Sequence, residues 1–121
     1  VKIRPHIMLQ GGVAPDAVAL WRSAFAGLAA NGPDASGMWA LALGDQTFTL
    51  LDSPPIHDFG PTPSWSFMVD LDTAEDVDRA ADNLGQAGRV MMPADAYDFA
   101  QRFAWVEDRF GISWQLRFGA V

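Results

Sequence analysis

Residues 108–116 read DRFGISWQL, a turn followed at once by the start of a strand. Arg109-Phe110, flanked by Asp108 and Gly111, reads as a two-residue hairpin turn, and from Ile112 onward bulky apolar and smaller or polar residues alternate with period two. Ile112, Trp114, Leu116 and Phe118 therefore share one face of a strand, and Ser113, Gln115 and Arg117 share the other. The preceding strand, Arg102–Glu107, completes the hairpin. With a two-residue turn, Val106 is expected opposite Ser113, Ala104 opposite Gln115 and Arg102 opposite Arg117.

Working outward, the same half of the chain opens with an alternating strand over Ser64–Leu71. Asp72 or Thr73 then caps a helix whose Val77, Ala80, Ala81 and Leu84 recur at helical spacing, with Gly85 or Gly88 to end it. Glu75, Asp76, Asp78, Arg79 and Asp82 fill the opposite helical face, so these charges are a solvated surface and not a catalytic pair. Arg89–Met92 is a further strand, followed by a loop. The first half repeats this order. Ile3–Gln10 alternates, Ala14-Pro15-Asp16 opens a helix with Val18, Trp21, Phe25 and Leu28 on one stripe, and Asn31-Gly32-Pro33-Asp34 breaks the chain. Gly37–Leu43 and Gln46–Leu51 form a hairpin around Gly44-Asp45. Between the halves lies SPPIHDFGPTP, residues 53–63, whose prolines exclude regular structure. The expected organisation is a single α+β domain over 1–121: a first module at about 1–53, a linker at about 54–63 and a second module at about 64–121.

Composition narrows the function classes. The 121 residues, half of them apolar, suffice for one core. Apolar runs are broken before the roughly 18 residues that a membrane span requires, and VKIRPHIML lacks a signal-peptide pattern, so a cytoplasmic location is expected. With no cysteine, disulfides, thiolate catalysis and sulfur-rich zinc sites are excluded. The formal charge of −7, with Lys2 as the only lysine, argues against a nucleic-acid partner and favours neutral or cationic ligands.

The doubled element order, HIML at residues 6–9, LGDQTF at 43–48 and above all DRFGISWQL resemble the vicinal oxygen chelate superfamily of glyoxalase, bleomycin-resistance and extradiol dioxygenase proteins, and specifically its PhnB-like branch. The resemblance spans essentially the whole chain. It implies two βαβββ modules whose mixed sheets curl into a cup, helices outside and ligand or metal inside. The branch often carries the description demethylubiquinone methyltransferase; Gly11-Gly12 before the first helix, however, is a turn and not the glycine-rich loop of a nucleotide cofactor site.

Combined with the period-two split, the implied cup has His6 and Met8 inside on the first strand, Met38, Ala40, Ala42, Thr47, Thr49 and Leu51 on the first hairpin, and Ser64, Ser66 and Met68 on the next strand. Ile7, Leu9, Trp39, Leu41, Leu43, Phe48, Leu50, Trp65, Phe67 and Val69 are expected on the packed side. Small inward residues leave room for a ligand, and methionines supply an adaptable apolar wall. Metal-dependent members of the superfamily carry ligands at positions that match His6, Thr49, Ser64 and Gln115 here. Only His6 is a good ligand, since hydroxyls and a neutral amide do not replace carboxylates, so no metal and no cofactor is expected.

The expected function is a small-molecule-binding protein that holds a mainly apolar ligand without a metal. Its ligand-binding residues would be His6, Met8, Met38, Thr49, Ser64, Met68, Arg102, Ser113, Gln115 and Arg117, with Arg102 and Arg117 together able to take an anion. Alternatives are a glyoxalase- or lyase-type enzyme with His6 as base, and sequestration of a cationic drug. His57, beside Asp58 in the linker, is a surface residue that could cover the cup. A homodimer is expected from five tryptophans and eight phenylalanines in so short a chain.

Overall fold

The hairpin that ends the chain is built around a buried carboxylate. In a computed structural model, which describes residues 1–120, Asp108 is 2% exposed. Its Oδ1 accepts from the N–H groups of Phe110 and Ile112 at 2.9 and 3.0 Å, and its Oδ2 accepts from Trp114 Nε1 at 2.9 Å. Its backbone closes the same turn: Gly111 N donates to Asp108 O at 2.9 Å, and Asp108 N donates to Ile112 O at 2.8 Å. Gly111 has φ +86°, so the loop has three residues, Arg109 to Gly111, with the glycine in the left-handed position.

That one extra residue corrects the expected register. The observed pairs are Glu107 with Ser113, Val106 with Trp114, Trp105 with Gln115, Ala104 with Leu116, Phe103 with Arg117 and Arg102 with Phe118. Trp105, not Ala104, shares the face of Gln115. Ala104 lies on the helix-covered face and is 0% exposed. Arg102 moves to that face as well and reaches Asp78 of the covering helix. A slip of one residue carries every side chain of a strand to the other face.

The chain divides into two compact units, Val1–Gly60 and the part from Pro61 onward. In the first, β1 (His6–Gln10), α1 (Ala14–Ala24), β2 (Ala29–Asn31), β3 (Met38–Leu43) and β4 (Gln46–Ser53) form one helix and a mixed sheet ordered β1-β4-β3-β2. In the second, β5 (Phe67–Asp70), α2 (Ala74–Leu84), β6 (Arg89–Tyr97), β7 (Ala100–Glu107) and β8 (Ser113–Ala120) give the order β5-β8-β7-β6. In each unit the first strand runs parallel to the last and the other pairs are antiparallel. Two four-stranded mixed sheets with one helix each are the expected α+β pattern, and each sheet is its own hydrogen-bonded ladder.

Each helix covers one face of its own sheet. In the first unit Ile7, Leu9, Leu41, Phe48 and Leu50 are buried with Val18 and Trp21 of α1, as the alternation predicts. Phe25 and Leu28 are buried too, although the helix stops at Ala24 and Phe25 is extended. In the second unit Val77, Ala80 and Leu84 of α2 are buried with Ala104, Val106, Trp114 and Leu116. Covering Trp114 and Leu116 removes large apolar side chains from water, each worth about 2–3 kcal/mol.

The two helices start differently. Thr73 caps α2 by accepting from Asp76 N at 3.0 Å. Val13 at the start of α1 has no such side-chain bond. There Asp52 of β4 supplies the cap, its two carboxylate oxygens accepting from Gly12 N and Ala14 N at 2.9 and 3.0 Å.

Other boundaries shift for local reasons. β2 is a strand that the breaker residues hid, paired antiparallel with β3. β6 runs on to Tyr97 through what reads as a loop, because an edge strand tolerates Pro93 and its register shifts absorb the irregularity. β5 begins at Phe67, leaving Ser64, Trp65 and Ser66 outside the strand. Trp65, expected in the packed layer, is 51% exposed and meets Phe67 edge-on at 4.7 Å.

Candidate functional site

The face of each sheet turned away from its helix carries the residues of interest. In the first unit β1 pairs His6 with Thr49 and Met8 with Leu51, and β3 pairs Met38 with Leu51 and Ala40 with Thr49. Residues directly opposite each other share a face, so His6, Met8, Met38, Ala40, Thr49 and Leu51 lie together, as expected. His6 Nδ1 and Thr49 Oγ1 are 2.6 Å apart and hydrogen-bonded. Around them is a concavity of about 610 Å³ lined by Lys2, Ile3, Arg4, His6, Met38 and Thr49. Lys2, Ile3 and Arg4 were not singled out by sequence. Their signal is the pair of cations within four residues of His6 in VKIRPH.

Gln10, at the end of β1, is a further residue whose role no local sequence pattern reveals. Its amide bridges the following loop, Nε2 donating to Phe59 O at 3.0 Å and Oε1 accepting from His57 N at 2.9 Å. The His57 ring lies 4.9 Å from that of Phe59, so the loop is tied to β1 through its backbone and not through the imidazole.

In the second unit the open face holds Met68, Gln115, Ser113, Trp105, Asp70 and Arg117. A polar chain runs across it. Trp105 Nε1 donates to Ser113 Oγ at 2.8 Å, Ser113 and Ser66 share a hydroxyl hydrogen bond at 2.5 Å, and Gln115 Nε2 donates to Ser66 Oγ at 3.2 Å. The partner of Gln115 is thus Ser66 and not Ser64, which instead pairs with Thr62 in the exposed segment before β5. One amide end of Gln115 is committed to this chain and its carbonyl is left available to accept.

The two arginines do not form a joint anion site. Arg102 donates to Asp78 at 2.8 Å on the helix side, and Arg117 donates to Asp70 at 2.7 Å on the open side. In each case the hydrogen bond to the aspartate is the main reason that the guanidinium is held above its ordinary pKa.

His6 has a hydroxyl neighbour, Gln115 is a neutral amide bonded to a serine, and no group of three His, Cys, Asp or Glu side chains that could hold an ion occurs among the described residues. A divalent ion needs anionic oxygen or several imidazoles, which this donor set does not offer. No helix of the described residues is long and apolar enough to cross a membrane.

Comparison with known proteins agrees with the element order. The family model described as 3-demethylubiquinone-9 3-methyltransferase matches residues 2–117. A PhnB protein from Bacillus cereus is 30% identical with a TM-score of 0.83, covering 98% of this chain and 100% of its own. A glyoxalase/bleomycin resistance protein/dioxygenase from Nocardioides shares the fold at 14% identity and TM-score 0.63, over 99% of this chain and 85% of its own. The fosfomycin resistance protein FosX from Listeria monocytogenes does so at 7% identity and TM-score 0.73, over 100% and 92%. No curated protein matches.

Proposed function

The chain belongs to the 3-demethylubiquinone-9 3-methyltransferase family, the PhnB-like branch of the vicinal oxygen chelate superfamily, and on that premise we propose that it binds a small, mainly apolar molecule on the open face of a sheet without a metal. The observation that carries this reading is a donor set without a carboxylate: an imidazole bonded to Thr49 in one unit and an amide bonded to Ser66 in the other. Met8, Met38 and Leu51 beside His6, and Met68 beside Gln115, add apolar surface that adapts to a ligand's shape.

Methyl transfer from a nucleotide-type cofactor is not part of the proposal. The Gly11-Gly12 turn leads into α1, but the N–H groups that would cradle an anion there already donate to Asp52. The alternative of a glyoxalase- or lyase-type enzyme with His6 as base has one observation in its favour, the Thr49 hydroxyl that orients the imidazole. A hydroxyl positions the ring but brings no negative charge to it, as a carboxylate partner would.

Elemental analysis and native mass spectrometry of the purified chain test the proposal together. The expected result is no stoichiometric divalent metal and a small organic molecule released on denaturation. About one zinc, nickel, manganese or iron ion per chain, lost in His6→Ala, overturns it. A homodimer belongs to the same reading, supported by exposed Trp65, Val90 and Phe99; a monomer in sedimentation at micromolar concentration removes that part.

A further inference from the structure

The chain is acidic overall, yet its uncommitted cations converge on one place. Arg79, Arg89, Arg102 and Arg117 are ion-paired with Asp76, Glu107, Asp78 and Asp70. Arg22 donates to the carbonyl of Ala30, and the Arg109 guanidinium lies 4.8 Å from the centre of the Phe110 ring. Among the lysine and arginine side chains of the described residues, Lys2 and Arg4 are the ones left without such a partner. Both line the concavity beside His6, and no carboxylate is among its lining residues.

Thr49 N donates to Pro5 O at 3.0 Å, a bond that belongs to the pairing of His6 with Thr49 and holds the chain at the start of β1. Lys2, Ile3 and Arg4, in the segment just before β1, line the concavity together with His6 and Thr49. Ile3 and Met38 supply apolar surface beside them. Two cations without a counter-ion in a concave site repel each other, and an anion placed between them removes that cost while gaining charge-assisted hydrogen bonds.

We propose that this concavity binds the anionic group, carboxylate or phosphate, of a small organic acid, with Lys2 and Arg4 holding the charge and Ile3 and Met38 meeting the apolar body. The proposal rests on the small-molecule reading above and narrows it. It also reverses the expectation from net charge, because the overall −7 is distributed away from this site.

The test is an amide-resolved NMR titration of the full chain at low ionic strength with benzoate, phenyl phosphate and the uncharged benzyl alcohol. At least one anion is expected to shift the amides of residues 3, 4, 6 and 49, with a dissociation constant near about 1 mM and binding at least tenfold tighter than benzyl alcohol. Preference between the two anions identifies the headgroup. Lys2→Glu/Arg4→Glu should weaken the anion tenfold or more, Lys2→Gln/Arg4→Gln should weaken it less, and Arg79→Glu should leave it unchanged. Retained amide dispersion shows that these surface variants are folded. Equal binding of anion and alcohol, or anion binding that survives Lys2→Glu/Arg4→Glu, overturns the anion site while the small-molecule reading stands. Binding of no anion at these amides overturns it whatever benzyl alcohol does, and failure of the broader reading is seen separately, when benzyl alcohol also fails and no molecule is released from the purified chain.

Discussion

Replacing Asp108 by asparagine changes almost no volume but inverts the hydrogen-bonding character of one atom in a buried site. The carboxylate satisfies three donors, two backbone N–H groups on Oδ1 and the Trp114 indole on Oδ2. Asparagine has only one acceptor atom. With its oxygen kept toward Phe110 and Ile112, its NH₂ faces the Trp114 N–H, two donors against each other where water cannot enter. Losing one bond to a charged acceptor and leaving buried donors unpaired costs about 2–4 kcal/mol. Trp114→Phe removes the opposing indole N–H and keeps a ring against Phe67, whose centre lies 5.0 Å away; the smaller ring and the lost bond cost about 2–3 kcal/mol. In Asp108→Asn/Trp114→Phe the NH₂ no longer meets a donor, so the double variant should be more stable than the sum of singles predicts, by about 1–2 kcal/mol. Denaturant unfolding of the four proteins, followed by intrinsic fluorescence and far-UV circular dichroism, measures this directly. Additivity to within about 0.5 kcal/mol would mean that the indole and the carboxylate do not act on one another, and the account of the hairpin would be wrong.

Two further outcomes are expected. Ala104→Leu, which the two-residue turn would have placed in open space, should cost about 1–3 kcal/mol by overpacking beneath α2, whereas Ala40→Phe on the open face should stay within about 0.5 kcal/mol of the parent; the reverse order in thermal or denaturant unfolding would invert the assignment of faces. Asp34 is held below its ordinary pKa by the Ser36 hydroxyl and then by the N–H groups of Met38 and Ser36, so its bonds favour the folded loop above the normal carboxylate range and are lost as pH falls through the lowered value. Amide exchange at Ser36 and Met38 should therefore rise on acidification more than in Asp34→Asn, and identical acid profiles for the two proteins would refute the role of that carboxylate.

The contrast between the two units explains what the sequence could disclose. In the first, faces were readable because alternation was strong and the Gly44-Asp45 hairpin has the ordinary two-residue turn, pairing Leu43 with Gln46. In the second, the same alternation was correct along β8 but its partner was displaced by one residue. Asp at the first position and Gly at the fourth of DRFG favour a type I turn closed by a left-handed glycine. That signal points to a three-residue loop, one residue longer than the turn that alternation alone suggests. Arg102 and Ala104 changed faces as a result, while Gln115 and Ser113 kept theirs. Ser66 replaced Ser64 beside Gln115 because β5 starts late, a boundary that alternation alone does not fix. The Asp52 cap of α1 and the Gln10 bridge to the linker were not readable, since both join residues about 40 positions or more apart. The nearness of Lys2 and Arg4 to His6 is visible in the sequence but obscured by averaging charge over the whole chain.

Although the two units have the same order of elements, their helices do not have the same autonomy. α2 satisfies its first turn from within, through Thr73, and its early Glu75 and Asp76 complement the positive end of the helix. α1 obtains the corresponding carboxylate only when β4 has paired with β1 and brought Asp52 beneath it. An eleven-residue helix is marginal alone, so the order of α1 is tied to the sheet in a way that α2 escapes: whatever loosens β4 loosens α1 with it. The strand that carries Thr49 to His6 is the same strand, which makes the integrity of the first helix a remote reporter of the open face on the other side of its sheet.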